Sequence, residues 1–455
     1  MVLPPDEAGQ AGTAAGDEQA RNKQVRLAAV ASVVGTSIEW YDFFLYGTAA
    51  AIVFPAVFFP KSSAYAGTLE SFATYAVGFA ARPVGAAVFG HWGDRIGRKA
   101  TLIVTLLMMG VASALVGVLP GTSSIGIAAP ILLVVLRLLQ GIAVGGEWSG
   151  SVLLSMEWGG QRRRGLMASW PQIGVPIGLL LGTGAMTAIA LSFPGAFKAW
   201  AWRIPFLASL LLVAIGLWVR LKVMETPMFA RLVQKKTVAR IPTLEVLRRY
   251  PRQVLLSALL RMSEQAPFYI YSAFALTYIK DHLHKSEGLG LAAVTVGGAL
   301  ELILIPTFGN LSDRVGRRRV YATGAALIGV TAFPAFLLIN TKAAAAVILG
   351  VAIIAIPHAI QYGPQSSYIA ENFPTGLAYA GSGLGYQTAS LIAGGPAPLL
   401  ATWMLPNFGW QAISIYIIAC AVLTLIAVAL LPDRSQADLS ESPSLAPVTS
   451  QPARG

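Results

Sequence analysis

The 455-residue chain is 55% apolar and only 12% charged, with a mean hydropathy of +0.64. A water-soluble domain carries about 25% charged residues, so this composition excludes a soluble globular enzyme and points to lipid. The single cysteine, Cys420, excludes an intramolecular disulfide framework and a multi-thiolate metal site.

Residues 1–26 are Ala/Gly/Asp/Glu-rich without an apolar core, and read as a disordered cytoplasmic tail rather than a signal peptide. Runs of about 20 apolar residues, the length that crosses about 30 Å of hydrocarbon, then predict helices at 27–58, 68–91, 100–120, 127–156, 165–192 and 200–222. A basic connector over 223–251, with Pro227 and Pro242, has room for a short helix on the inner surface. Further helices are predicted at 252–279, 288–311, 319–340, 343–370, 376–404 and 409–432, and the Ser/Pro-rich stretch 433–455 reads as a second disordered cytoplasmic tail. The expected fold is an all-α integral membrane protein of twelve transmembrane helices in two six-helix bundles, 27–222 and 252–432.

Orientation follows from the positions of the bases. With both termini cytoplasmic, inner loops and tails hold twenty-four of the 33 Lys and Arg residues, outer loops hold six, and Arg82, Arg137 and Arg261 lie within spans. This is a strong positive-inside bias. The net charge of +12 is therefore topological and faces anionic lipid, and no nucleic-acid partner is expected.

The two bundles are related. Gly90-His-Trp-Gly-Asp94-Arg95-Ile-Gly97-Arg98-Lys99 returns 219 positions later as Gly309-Asn-Leu-Ser-Asp313-Arg314-Val-Gly316-Arg317-Arg318. Each copy lies between two apolar segments. Internal repeats of this kind build membrane carriers whose cargo binds between the halves. An Asp at a helix end accepts N–H bonds or pairs with Arg, so Asp94, Arg95, Arg98, Asp313, Arg314 and Arg317 are candidates for gating contacts that latch the cytoplasmic side.

Each ionisable residue inside a span costs on the order of 3 kcal/mol, which makes such residues candidates for function. Glu39 and Asp42 share a face of the first helix, with Tyr46 a turn further. Nearby carboxylates in low dielectric resist double ionisation, and both are candidate proton carriers, Asp42 being the deeper. Arg82, before the kink at Pro83, serves either freed carbonyls, the cytoplasmic network or substrate. Arg137, with Gln140 beside it, is the expected partner of these acids and the candidate grip on a substrate carboxylate. Glu147 either joins this network or stabilises packing. In the second half Arg261, Glu264, Gln265 and Tyr271 form a candidate binding stripe. His358, Gln361, Tyr362 and Gln365 recur at i, i+3, i+4 and i+7 along the tenth span; His358 is either a titrating group or a satisfied core histidine. Gln387 adds a donor on the eleventh span, and Glu301 has no evident sequence partner.

Other chemistry is missing. There is no phosphate loop, no dinucleotide fingerprint and no metal-ligand spacing, and the four His residues are scattered. No enzymatic activity, cofactor or metal is expected, and energy would come from an ion gradient.

The repeated Gly-x-x-x-Asp-Arg-x-Gly-Arg-Arg/Lys loops resemble the signature of the major facilitator superfamily. Glu39-Trp-Tyr-Asp-Phe-Phe-Leu-Tyr46, Phe79-Ala-Ala-Arg82-Pro83, Arg137-Leu-Leu-Gln-Gly-Ile-Ala-Val-Gly-Gly-Glu147-Trp and Glu225-Thr-Pro-Met-Phe229 narrow the resemblance to its metabolite/proton symporters. Gly35 to Phe54, Gly178-Leu-Leu-Leu-Gly182 and Gly383-Leu-Gly-Tyr-Gln387 look most like the shikimate permease branch. The resemblance implies a monomer in a bacterial inner membrane that takes up a small organic acid with protons. Relatives that carry dicarboxylates, citrate or proline and betaine keep those substrates open. From other classes, a drug-exporting antiporter and a non-transporting membrane sensor are the alternatives.

Overall fold

The computed structural model describes residues 5–159, 161–224 and 242–437, and no strand occurs among them. The first half consists of α1 (Pro5–Ile52), α2 (Ala64–Ile96), α3 (Arg98–Val118), α4 (Ala128–Gly159), α5 (Arg164–Ser192) and α6 (Arg203–Leu221). The second half begins with α7, a rod over 251–282 divided into short α and π segments. It continues with α8 (Glu287–Val315), α9 (Arg317–Asn340) and α10 (Ala344–Ala370), then α11, a rod over 378–408, and α12 (Trp410–Leu430). Each predicted span has its helix, with ends displaced by a few residues. The exception is α1, which begins at Pro5 within the stretch read as a tail. Glu225 to Phe229 and most of the connector lie outside the described residues. The described remainder of the connector is a short helix, Pro242–Arg249, whose Thr243 hydroxyl donates to the Ala87 carbonyl at 2.9 Å.

Ten of these helices are long and apolar enough to cross a bilayer by themselves. The other two are α1 and α7, the first helix of each half, and each carries ionisable residues in its middle: Glu39 with Asp42, and Arg261 with Glu264. All four of these side chains are buried. Facing protein rather than lipid is what allows them within a span.

Small residues set the spacing within the first half. Gly174 and Gly178 of α5 lie against Thr36 and Trp40 of α1, the close approach that small residues allow between membrane helices. Gly145 of α4 lies under the Arg82 carbonyl of α2, where a Cβ would collide with backbone. Gly145→Val should therefore push α2 off α4 and destabilise the protein by about 1–3 kcal/mol, read as a lower thermal midpoint in detergent. An unchanged midpoint would show that the two helices separate at no cost.

The repeated loops close one end of the bundle, here called the signature end. Gly97 and Gly316 have φ of 113° and 97°, a region that L side chains rarely adopt, and so each turn between helices requires glycine. Gly90 and Gly309, which open the motif, allow close approach across the halves. A Cβ on Gly90 would lie 2.8 Å from Ala380 Cα, and one on Gly309 would lie 2.7 Å from Ser169 Cβ.

The motif Asp residues use this proximity. Asp94 of α2 accepts the backbone N–H groups of Tyr379 (3.3 Å) and Ala380 (3.0 Å) in the first turn of α11. Asp313 of α8 accepts those of Gly165 (2.8 Å) and Leu166 (2.9 Å) in the first turn of α5. Each half thus caps a helix N-terminus of the other, satisfying donors that have no partner within their own helix. Behind each cap stands an arginine joined to a second acid. Arg98 lies 3.9 Å from Asp94 and 3.2 Å from Glu157; Arg317 lies 2.8 Å from Asp313 and 3.1 Å from Glu371. Arg95 is exposed and touches His91 at 3.3 Å, and Arg314 is exposed, so these two motif bases stand outside the caps.

Beyond α12 the chain turns back over the signature end. Arg164 of the first half donates to the carbonyls of Ser435 (3.0 Å) and Ala437 (2.9 Å). Partial burial alone would raise the Asp433 carboxyl, but N–H bonds from Arg318 and Ser435 outweigh it and hold the group below its usual range.

Loss of a cap should open this end. Each N–H bond to a carboxylate contributes about 1.5–3 kcal/mol, so Asp94→Ala should raise thiol labelling of a Ser149→Cys probe, buried between the halves, by tenfold or more. Cys420 is buried and contributes little background. Unchanged labelling would show that the cap does not hold the halves together.

Candidate functional site

Polar side chains converge midway along the bundle, on the faces that the halves turn toward each other. In the first half α2 and α4 supply two arginines, Arg82 and Arg137, each 1% exposed. Both lie against rings rather than acids. The Arg82 guanidinium carbon is 4.4 Å from the Phe79 ring centre and 4.5 Å from that of Phe43. Arg137 is 4.3 Å from Tyr46, 4.6 Å from Phe43 and 4.8 Å from Tyr75. Two guanidiniums thus share the Phe43 ring, held by its quadrupole.

Their donors are largely unspent. Arg137 donates to Gln140 Oε1 at 3.1 Å, and Gln140 donates to Ser113 Oγ at 2.8 Å. Nε and Nη2 of both Arg82 and Arg137 are buried without a hydrogen-bond partner. Among the described residues neither arginine has a carboxylate within ion-pair distance, whereas Arg98, Arg164, Arg220, Arg261 and Arg317 all do.

The expected pairing of Arg137 with Asp42 or Glu39 is therefore not made in this state. Asp42 accepts a hydrogen bond from Ser209 of α6 and has Ser113 of α3 beside it. Its other oxygen, Oδ2, is buried without a partner, as is Oε2 of Glu39. Arg137 acts on Asp42 only through its charge, and Arg82 acts on Glu39 in the same way. Two acids on one helix thus face two guanidiniums, each beyond contact. Glu147 instead pairs with Arg220, which also bonds the Leu102 carbonyl. Arg220 reads in the sequence as a loop base; it is 3% exposed and turned into the bundle.

The second half is arranged differently, with its arginine fully engaged. Arg261 binds Glu264 (2.9 Å), Gln365 Oε1 (3.2 Å), the Tyr386 carbonyl (2.6 Å) and Ser390 Oγ (3.3 Å). Its guanidinium carbon is 3.1 Å from the centre of the Tyr386 ring. Gln365 also donates to Glu264 (3.0 Å) and to the Tyr321 hydroxyl (2.9 Å). Gln361 accepts from Ser263 at 2.5 Å. Glu301, without an evident partner in the sequence, meets His358 Nδ1 at 2.6 Å and accepts from Tyr271 at 2.5 Å.

Between the halves lie aromatic rings and a few amides. Phe79 packs on Tyr269 with ring centres 5.1 Å apart, and Trp40 on Phe268 at 6.3 Å. The Tyr269 hydroxyl and Gln265 Oε1 are buried without partners beside the two arginines' rings. On the signature side Trp148 stacks on Tyr386 at 3.6 Å and donates to Gln172 at 2.9 Å. Gln387 reaches across to the Val144 carbonyl at 3.4 Å. These contacts and the caps shut the signature end below the arginines.

The site residues proposed from sequence thus fall into distinct places. Arg137, Gln140 and Tyr46 meet in the first half; Arg261, Glu264, Gln365 and His358 meet in the second; Gln265 faces the centre. Tyr271 serves Glu301, Gln361 serves Ser263, and Gln387 spans the interface. Ser113 and Ser209 gave no signal, because small hydroxyls are common in membrane helices, and Trp148 closed a quoted motif without a role assigned to it. Glu157 and Glu371 had one: they recur at nearly the same separation as the loops.

Comparison with known proteins agrees with this architecture. The family model of the Major Facilitator Superfamily matches residues 33–395 and 265–450. The shikimate transporter of Escherichia coli K12 is 40% identical over 91% of this chain and 96% of its own length. The proline/betaine transporter of the same organism is 32% identical over 84% of this chain and 78% of its own. The solved proton:xylose symporter XylE superposes with a TM-score of 0.74 at 16% identity, covering 92% of this chain and 98% of that one. The fold, the paired signature loops and these relatives together show that the chain belongs to the major facilitator superfamily of membrane transporters.

Proposed function

We propose that the chain is a proton-coupled symporter that brings a small organic acid, shikimate or a related carboxylate, into a bacterial cell by alternating access across the inner membrane. The observation that carries this reading is the pair Arg82 and Arg137: two buried guanidiniums on one aromatic ring, with open donors and, among the described residues, no carboxylate in contact. A planar guanidinium cannot shed its proton and suits a carboxylate bidentately. The flanking rings suit the apolar face of a cyclic acid. The positive-inside bias supports cytoplasmic termini, with the signature end facing the cytoplasm. The conformer described here is then the one closed to the cell interior.

Coupling follows from the acids on α1. When Asp42 and Glu39 are ionised, their charges compete with a substrate anion for the arginines; once one is protonated, the guanidinium is left to the substrate. Asp42, hydrogen-bonded only to hydroxyls, is the favoured carrier.

An uptake panel in proteoliposomes tests the reading, with labelled shikimate, succinate, citrate and betaine under an imposed pH gradient. Shikimate should accumulate on the side away from the acid, and an uncoupler should abolish the accumulation. If no acid accumulates and the uncoupler changes nothing, the proposal fails. The second arginine favours one alternative, a dicarboxylate held at both ends. Succinate accumulating in preference to shikimate would select it.

A further inference from the structure

Resting on the symport reading above, we infer that His358, held between Glu301 and Glu264, is a second proton-binding site, so that two protons accompany each substrate. The ring sits in the second half, away from Asp42, at 1% exposure. Phe268 and Tyr362 both stack on it, with ring centres 4.9 and 5.1 Å away. Its two nitrogens therefore point at fixed partners: Nδ1 to Glu301 Oε1 at 2.6 Å, Nε2 to Glu264 Oε1 at 3.6 Å.

The partners decide which proton moves. Glu301 Oε1 accepts from Tyr271 as well as meeting Nδ1. With Glu301 as an acceptor-only carboxylate, both Tyr271 and Nδ1 donate to Oε1, and Nδ1 bears a hydrogen. Nε2 is buried without a hydrogen-bond partner. Loading forms an N–H bond at Nε2 and turns the ring into an imidazolium between two carboxylates. Release breaks that bond and leaves the neutral ring.

Charge balance gives the loaded form its place in the cycle. The groups facing the ring are Glu301 and Glu264, with Arg261 behind Glu264; Tyr271, Tyr321, Tyr362 and Tyr386 surround them from α7, α9, α10 and α11. With the ring neutral, two carboxylates oppose one guanidinium inside the bundle. With the ring protonated the cluster is neutral, the state that burial favours.

A conformational link is also present. Arg261 holds α11 through the Tyr386 carbonyl and Ser390, and the Tyr386 ring stacks on Trp148 of the other half. Opening the signature end parts that stack. With that stack parted, the contacts of Arg261 with α11 lose their backing from the first half, so the counter-charge beside Glu264 and Nε2 changes as the signature end opens.

The test is the steady-state accumulation ratio of labelled shikimate by the full chain in proteoliposomes, with membrane potential clamped to zero. One proton per substrate gives about a tenfold rise per unit of imposed pH gradient, and two give about a hundredfold. The expected wild-type rise is hundredfold, falling to about tenfold in Glu301→Gln. A tenfold wild-type rise overturns the second site while leaving symport intact; no accumulation at any gradient overturns symport itself. A Glu301→Gln protein that still gives a hundredfold rise also overturns the site. Should that variant fail to fold, His358→Gln supplies the same comparison, and the wild-type slope still decides the proton number.

Discussion

Asp42→Asn should cut the response of substrate accumulation to a one-unit pH gradient about tenfold, the loss of one proton per cycle. Asparagine keeps the size of the side chain and an oxygen for the Ser209 hydroxyl, so packing among α1, α3 and α6 is preserved. What it removes is the ability to exchange charge for a proton. The substitution also ends the competition between Asp42 and substrate for Arg137, so the apparent affinity at alkaline pH should rise toward that at acid pH. With Glu301→Gln added, accumulation above equilibrium should vanish. Accumulation by Asp42→Asn with the wild-type slope would move the proton site elsewhere, with Glu39 the next to be tested.

Arg137→Lys should raise the substrate KM by about tenfold to a hundredfold, and by more than Gln140→Leu does. Lysine keeps the charge but loses the planar fork, and with it the second of two parallel bonds to a carboxylate, which is worth about 1–3 kcal/mol. It also fits the Phe43, Tyr46 and Tyr75 rings less well than a flat guanidinium does. Arg82→Lys provides the comparison. If one carboxylate is gripped by Arg137 alone, Arg82→Lys has the smaller effect on shikimate. Equal effects on succinate from both variants would favour a dicarboxylate held at both ends. Unchanged kinetics in Arg137→Lys would make that residue structural.

The architecture was open to sequence reasoning because lipid imposes a length and a polarity on every span. The repeat, the base distribution and the glycine-bearing loops all rest on local rules, and the twelve helices follow from them. Asp94 and Asp313 were legible as candidate gating groups, but not the helices they cap, because the receiving groups are backbone N–H and leave no mark in the sequence. The inward-facing residues of α1, α4, α7 and α10 were found because a charge in a span must have a reason. Their partners were a different matter. Arg137 was expected to meet an acid and meets rings instead; Glu301 had no evident partner and has two. Arg220 was assigned to a loop because it lies one turn from the basic connector, although its side chain turns back to Glu147. Pairing of this kind depends on how helices are rotated against one another, and hydropathy carries no information on rotation.

Each signature Asp contacts main chain rather than a side chain of the opposite half. Substitutions at Leu166 or Tyr379 leave the donated N–H in place, and there only proline deletes it, whereas a side chain at Gly165 would collide with the Gly309 carbonyl and Arg317. At Leu166 and Tyr379 the attachment depends on the Asp and not on the receiving side chain. Correlated changes between the halves are expected to be weakest where the attachment is strongest. A hybrid gene that takes one half from this chain and the other from a relative should keep the caps intact, so new cargo preferences are accessible by exchanging whole halves.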